Sequence, residues 1–197
     1  PEKYGGPGGD YWSAMVLAEE MARCGSGGVG MAISVHTEMA TPPVHQFGTE
    51  EQKQRYLVPA IRGERIAAIA ITEPDAGSDV ANIRTRAVRE NGGWTINGSK
   101  LYITNGVRCD FIVLVARTGT PEEGASGITL FLVDKTLPGF EVSRKLKKIG
   151  MHASDTAELS FTDVHVPGDA VLGEIGKGFY HLMWELQGER LIAAVVA

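Results

Sequence analysis

The sequence predicts an α+β fold, with helices at both ends and a central antiparallel sheet of barrel-like form. Three observations carry that prediction. Residues 1–65 place apolar side chains at three- and four-residue steps between helix-capping residues, the mark of amphipathic helices. From Ile66 the chain becomes a series of short runs rich in β-branched and aromatic residues, separated by turn clusters such as "ENGG" and "NG". Helical character returns in "GEIGKGFYHLMWELQGERLIAAVVA". The boundaries expected are 1–65 for part of an N-terminal helical domain, 66–174 for a β-domain, and 175–197 for the first helix of a further helical domain.

Each element has its own signal. After the glycine-rich "YGGPGGD", Asp10 is an N-cap for a helix reaching about Cys24, stopped by Gly25. Its apolar positions are Trp12, Met15, Ala18, Met21 and Ala22. The next stretch, "GSGGVGMAISVHTEMATPPVHQFG", reads as a second helix in its middle, with "TPP" breaking or starting one. Thr49 opens "TEEQ", a capping box that predicts a helix through Tyr56 and Leu57. The strand-like runs are "IAAIAIT", "GWTING", "SKLYITNG", "FIVLVART", "GITLFLV", "FEVS" and "AELSFTDVHVP". "NGS" (Asn97 to Ser99) matches a glycosylation acceptor but reads better as a turn between strands.

Composition narrows the function. With 197 residues, 43% of them hydrophobic, the chain can bury a substantial core. The net charge is −5, and the one basic block, "RKLKK" (Arg144 to Lys148), reads as a solvated strand face. Nucleic-acid binding needs a concentrated positive surface and is not expected. Cys24 and Cys109 follow no metal or redox spacing, so a reducing compartment fits. No apolar run approaches the ~20 residues of a membrane span. The chain starts without methionine and stops inside a helical pattern, so a piece of a longer protein is expected.

Several motif matches fail on inspection. "GEIGKG" (Gly173 to Gly178) is too short for a phosphate loop, and no Ser or Thr follows its lysine. "HTE" (His36 to Glu38) lacks the P-C-x-x-C partner of zinc deaminases. His45, His152, His165 and His181 do not fall at ligand spacing, so no metal site is expected. Neither a nucleophile elbow nor a dinucleotide-binding glycine fingerprint is present.

Two stretches stand out. "ITEPDAGSD" (Ile71 to Asp79) and "KLYITNG" (Lys100 to Gly106) each end an apolar strand in threonine and a polar turn. Thr72 and Thr104 can present hydroxyls or backbone N–H groups to a planar polar heterocycle. Gly77 lets backbone approach closely, Ser78 can bond a phosphate or ribityl hydroxyl, and Tyr102 can supply an aromatic wall. From the pattern alone, two ordinary hairpin ends are an equal reading. "ELQGERLIAA" places Glu185, Glu189 and Arg190 among apolar residues. A carboxylate desolvated there can serve as a general base; the pattern by itself favours an ordinary exposed glutamate.

Together these stretches resemble the acyl-CoA dehydrogenase family across nearly the whole chain and in order. "PEKYGG", "FGTEEQKQRYL", "AITEPDAGSD", "KLYITNG", "SDT" (Ser154 to Thr156), "FTDVHVP" and "VLGEIGKGF" carry the resemblance, with the long-chain and isovaleryl-type members nearest in pattern. It implies an N-terminal helical domain, a β-domain and a C-terminal helical bundle, assembled as a homotetramer around FAD. Ile69, Ile71 and Thr72 would line the flavin, and Tyr102, Ile103 and Thr104 would flank it, Tyr102 standing where many members have tryptophan. Gly77 and Ser78 would meet the phosphate side, with Ser78 also near the thioester.

The implied reaction is α,β-dehydrogenation of an acyl-CoA to the trans-2-enoyl-CoA, with electrons passed to electron-transferring flavoprotein. An oxidase of the same fold, or a non-catalytic binding or folding module, are the alternatives. The resemblance makes Glu189 the expected base and Glu185 the second choice, with Gln187, Gly188 and Arg190 beside the thioester. It also implies that the adenine-gripping region lies beyond Ala197. The 197 residues alone are therefore expected to bind FAD weakly and turn over poorly. The small residues Gly30, Ala32 and Ser34 either leave room for a long or branched acyl chain or serve close helix packing.

Overall fold

A computed structural model describes residues 1–196. The N-terminal part is helical throughout. Helix α1 (Tyr11–Ala22) is capped by Asp10, whose carboxylate accepts from the N–H groups of Trp12 and Ser13 at 3.1 and 3.2 Å. Ala18 is buried, but Trp12 is 73% exposed, and Val16 and Leu17 also face outward. The expected apolar stripe is thus only half used. Helix α2 (Gly27–Ser34) runs directly into a π-helical turn over 35–40 and then into α3 (Thr41–Phe47). Pro42 and Pro43 follow closely on the π-helical turn, at the start of α3.

Thr49 makes the full capping box. Its hydroxyl accepts from Gln52 N–H, and the Gln52 side chain accepts from Thr49 N–H. The helix that follows comprises α4 (Glu50–Gln52), a π-helical turn and α5 (Val58–Ile61). It buries Tyr56 and Leu57 as the sequence predicts.

The middle of the chain is one mostly antiparallel sheet of eight strands. They are β1 (Ala67–Ala70), β2 (Arg86–Glu90), β3 (Gly93–Thr104), β4 (Phe111–Arg117), β5 (Ile128–Asp134), β6 (Phe140–Lys145), β7 (Thr156–Pro167) and β8 (Val171–Leu172). The order is β6-β7-β3-β2-β4-β5-β8, with β1 joined to β4 in parallel, so the sheet is not purely antiparallel. Both faces of the central strands are covered. In β4, Ile112, Leu114 and Ala116 point into a core between strands, while Phe111, Val113 and Val115 point to the helices. That double burial explains the unbroken apolar runs of β4 and β5.

One expectation is overturned. "GWTING" and "SKLYITNG" are a single strand, β3, and "NGS" is not a turn between strands. The ladder with β7 slips between Ile96 and Gly98, which is a bulge rather than a reversal. Gly98 has φ +150°, and a Cβ there would lie 2.6 Å from Thr85 Cα. Asn97 ties the bulge down by exchanging two hydrogen bonds with Asp163.

Helix α6 (Gly178–Val196) follows β8. A Cβ on Gly178 would sit 2.8 Å from Thr129 backbone, so glycine lets the helix start directly against β5. Leu182, Glu185, Gly188 and Ile192 form its buried stripe. The expected helix includes Ala197, which lies outside the described residues. No helix among the described residues is long and apolar enough to cross a membrane.

Candidate active site

The fold brings "ITEPDAGSD" and "KLYITNG" together by direct bonds. Leu101 N–H donates to the Thr72 carbonyl at 2.8 Å. Lys100 is fully buried; its ammonium donates to the Ile71 carbonyl and to a Glu73 carboxylate oxygen, both at 2.8 Å. Glu73 also accepts from the backbone N–H groups of Arg84 and Thr85 at 2.6 and 3.0 Å. Burial pushes the Glu73 carboxyl up, but Lys100 and these N–H donors outweigh it and hold the group below its ordinary value. Burial pulls Lys100 down to about 8 against the attraction of Glu73. The first acid of "EPD" therefore fastens the loop and is not offered to a ligand.

The fastened loop forms one wall of a cavity of about 410 Å³. Ile71, Thr72, Gly77 and Ser78 line this wall. The opposite wall is α6, through Phe179, Met183, Leu186, Glu189 and Arg190. A Cβ built on Gly77 would meet nothing within 4 Å, so the turn faces open space. Ser78 is exposed beside it. Sequence positions more than a hundred residues apart thus share one site.

The other candidates divide. Ile69, in β1, and Ile71, just beyond it, are partly buried against the core that faces the helices. Tyr102 is 65% exposed at φ +62°, where the ladder slips between Lys100 and Ile103. Its ring is solvent-exposed and lies off the cavity wall. Thr104 is half-buried and paired with Thr156.

Three placements differ from expectation. Ile103 points into the core between strands, because neighbouring strand residues face opposite sides, and its carbonyl accepts from Gly106 N–H at 3.2 Å. Gly188 belongs to the buried stripe, where a Cβ would lie 2.5 Å from the Tyr11 hydroxyl; it faces α1, not the cavity. Gln187 is exposed and off the cavity wall.

Gly30 and Ser34 are buried, and a Cβ on Gly30 would make ordinary contact with Met21 at 3.7 Å. His36, Thr37 and Glu38 instead line a second, separate cavity of about 720 Å³ with Trp184.

The two glutamates of α6 sit in contrasting places. Glu189 is half-buried on the cavity wall; burial raises its carboxyl above the ordinary value, while Arg190 and Glu185 oppose the rise. Glu185, one turn earlier, is 3% exposed. Burial, and then the neighbouring Glu189, push it up to about 9. Neither Glu185 oxygen has a hydrogen-bond partner among the described residues.

Profiles of the acyl-CoA dehydrogenase N-terminal and middle domains match residues 1–64 and 68–164. The chain belongs to the acyl-CoA dehydrogenase family. It is 46% identical over 197 residues to the mitochondrial long-chain specific acyl-CoA dehydrogenase of Sus scrofa, covering all of this chain and 45% of that protein. The structure of a probable acyl-CoA dehydrogenase from Mycobacterium abscessus superposes with TM-score 0.95 at 46% identity, over 100% of this chain and 52% of that one. A Bacillus anthracis acyl-CoA dehydrogenase complexed with FAD superposes at TM-score 0.91 and 34% identity, over 100% of this chain and 33% of that one. The chain spans about half the length of the curated relatives it matches.

The residues present fit the flavin that this membership implies. An apolar floor of Ile71, Phe179, Met183 and Leu186, hydroxyls at Thr72 and Ser78, and an open glycine turn suit a planar heterocycle with a polar edge and a phosphate tail. Sequence reasoning missed Lys100 and Glu73, although a lysine inside the apolar run "SKLYIT" is itself a signal of a buried pair. It also missed Phe179, Met183 and Leu186, whose spacing of four and three places them on one helix face.

Proposed function

We propose that the protein dehydrogenates acyl-CoA thioesters at the α,β position with FAD, yielding trans-2-enoyl-CoA, and that Glu189 is the base. The observation that carries this reading is the shared cavity: Thr72, Gly77 and Ser78 on one wall, Glu189 on the other. Ile71, Thr72, Gly77 and Ser78 would hold the flavin, with Ile69 beneath and Tyr102 and Thr104 at the neighbouring strand. Bound there, the flavin would accept the β-hydrogen as hydride.

The chain's own residues do the rest. Glu189 takes the α-proton, and its partial burial makes the carboxylate a stronger base than one in water. Arg190 and Ser78 are placed at the rim, where a thioester and the charged end of a CoA would pass. The apolar floor keeps water from the reacting carbons. Electron-transferring flavoprotein as acceptor and a homotetrameric whole protein complete the proposal.

The test is anaerobic bleaching of the flavin in the whole protein by acyl-CoA thioesters of several chain lengths. The Glu189→Gln variant should still bind thioester but bleach ~100-fold or more slowly, the usual worth of a general base. Bleaching of both at one rate would remove Glu189 from the mechanism. No bleaching of the parent by any acyl-CoA would remove the reaction itself.

A further inference from the structure

Resting on that reading of Glu189, we propose that Glu185 is a positioning residue: a neutral carboxylic acid inside the helix packing that donates its O–H to the Glu189 carboxylate and holds it toward the cavity. Three geometric facts lead there. Glu185 is 3% exposed in the middle of the buried stripe of α6, between Leu182 and Gly188. Both of its oxygens lack a partner among the described residues. Glu189 stands four positions later, between that stripe and the cavity face of Met183 and Leu186. Helical side chains lean toward the N-terminus, so Glu189 leans back over Glu185.

Other charged and titratable groups also sit on the elements packed against α6. On α1, Tyr11 covers Gly188. In the turn over 35–40, both ring nitrogens of His36 are bonded, to Ala60 O and Ala67 N, and Glu38 lines the second cavity. On α3, His45 stands edge-on to Tyr4. In the 121–127 segment packed on α6, Glu122 and Glu123 are exposed. His181, on α6 itself and four positions before Glu185, stacks on Phe47 and leaves its buried Nδ1 without a hydrogen-bond partner among the described residues.

A buried carboxylate with no donor is costly, whereas a buried acid needs only one acceptor. Two carboxyls one turn apart in a low dielectric do not both ionise cheaply, so one proton is retained between them. The deeper group keeps it, in line with the upward shift of Glu185. Its O–H then stabilises the ionised form of Glu189 and points that group outward.

The test uses the whole, flavin-loaded protein with Glu185→Leu and Glu185→Gln. Leucine fills the space without a donor; glutamine keeps an N–H donor. Glu185→Leu should move the acid limb of the bleaching rate up by about one pH unit, the effect of losing one hydrogen bond to a charged group. Thioester affinity should change less than about twofold. Glu185→Gln should restore the limb. Infrared difference spectra near neutral pH should show a protonated carboxyl band that both variants lose, a readout that needs no turnover.

A parental acid limb in Glu185→Leu, or no carboxyl band in the parent, overturns the proposal. Fast bleaching by Glu189→Gln overturns it differently, by removing the base that Glu185 would position. The infrared band then still reports the Glu185 proton separately.

Discussion

The Lys100 ammonium lies 2.8 Å from a Glu73 carboxylate oxygen, with the two side chains 0% and 5% exposed. This pair joins positions 27 apart in the sequence and fixes the carbonyl of Ile71 at the edge of the cavity. The energetic point is asymmetry. A buried pair adds little over a well-packed apolar pair, but removing one partner strands the other charge. Lys100→Met should therefore cost ~3–5 kcal/mol in urea unfolding. It should also loosen the Thr72 loop, seen as faster amide exchange at Leu101, whose N–H bonds the Thr72 carbonyl. A loss below ~1 kcal/mol would mean that the backbone donors of Arg84 and Thr85 hold Glu73 unaided.

Glu185 makes stability depend on pH with a definite sign. Its carboxyl sits at about 9 when folded, above the ordinary 4.5. Between those values the folded state holds a proton that the unfolded state releases, so stability falls as pH rises. The contribution is complete below about 4.5 and lost as pH passes through about 9. Glu73 acts oppositely, because its lowered carboxyl contributes above the ordinary value and loses that contribution as pH falls. Chemical unfolding at several pH values from about 5.5 to 8.5 should show a declining stability that Glu185→Leu flattens, by up to ~1 kcal/mol per pH unit. Equal slopes in the two proteins would place the Glu185 proton elsewhere.

Legibility from sequence followed the reach of each interaction. The caps at Asp10 and Thr49 are local, with donor and acceptor within three residues, and both appear as read. The apolar runs of β4 and β5 could be read because both faces are buried. Strand β2, "RAVRE", escaped notice because only Ala87 is buried and the charged residues face solvent. Gly98 looked like a turn because a bulge and a turn use the same residues; only Thr85, 13 positions away, tells them apart.

At the site, Glu189 and Thr72 were legible as types and became neighbours only through α6. The inward face of Ile103 and the covered Gly188 depend on strand and helix phase beyond what the motif records.

The crossing of α1 and α6 gives a final prediction. Gly188 sits in the interior of α6, where glycine is ~1 kcal/mol worse than alanine for helix propensity. Alanine is nevertheless blocked, because its Cβ would meet the Tyr11 hydroxyl at 2.5 Å and the ring at 3.2 Å. Tyr11 is 50% exposed, so its ring can yield, but only by giving up packing on α6. Gly188→Ala should thus be neutral or destabilising in the parent. In a Tyr11→Ala background the same change should stabilise by ~0.5–1 kcal/mol, since only helix propensity remains. The two substitutions should couple by at least ~0.5 kcal/mol in a thermodynamic cycle of unfolding. If the effects simply add, the Tyr11 ring does not rest on Gly188, and the docking of α1 on α6 must be drawn differently.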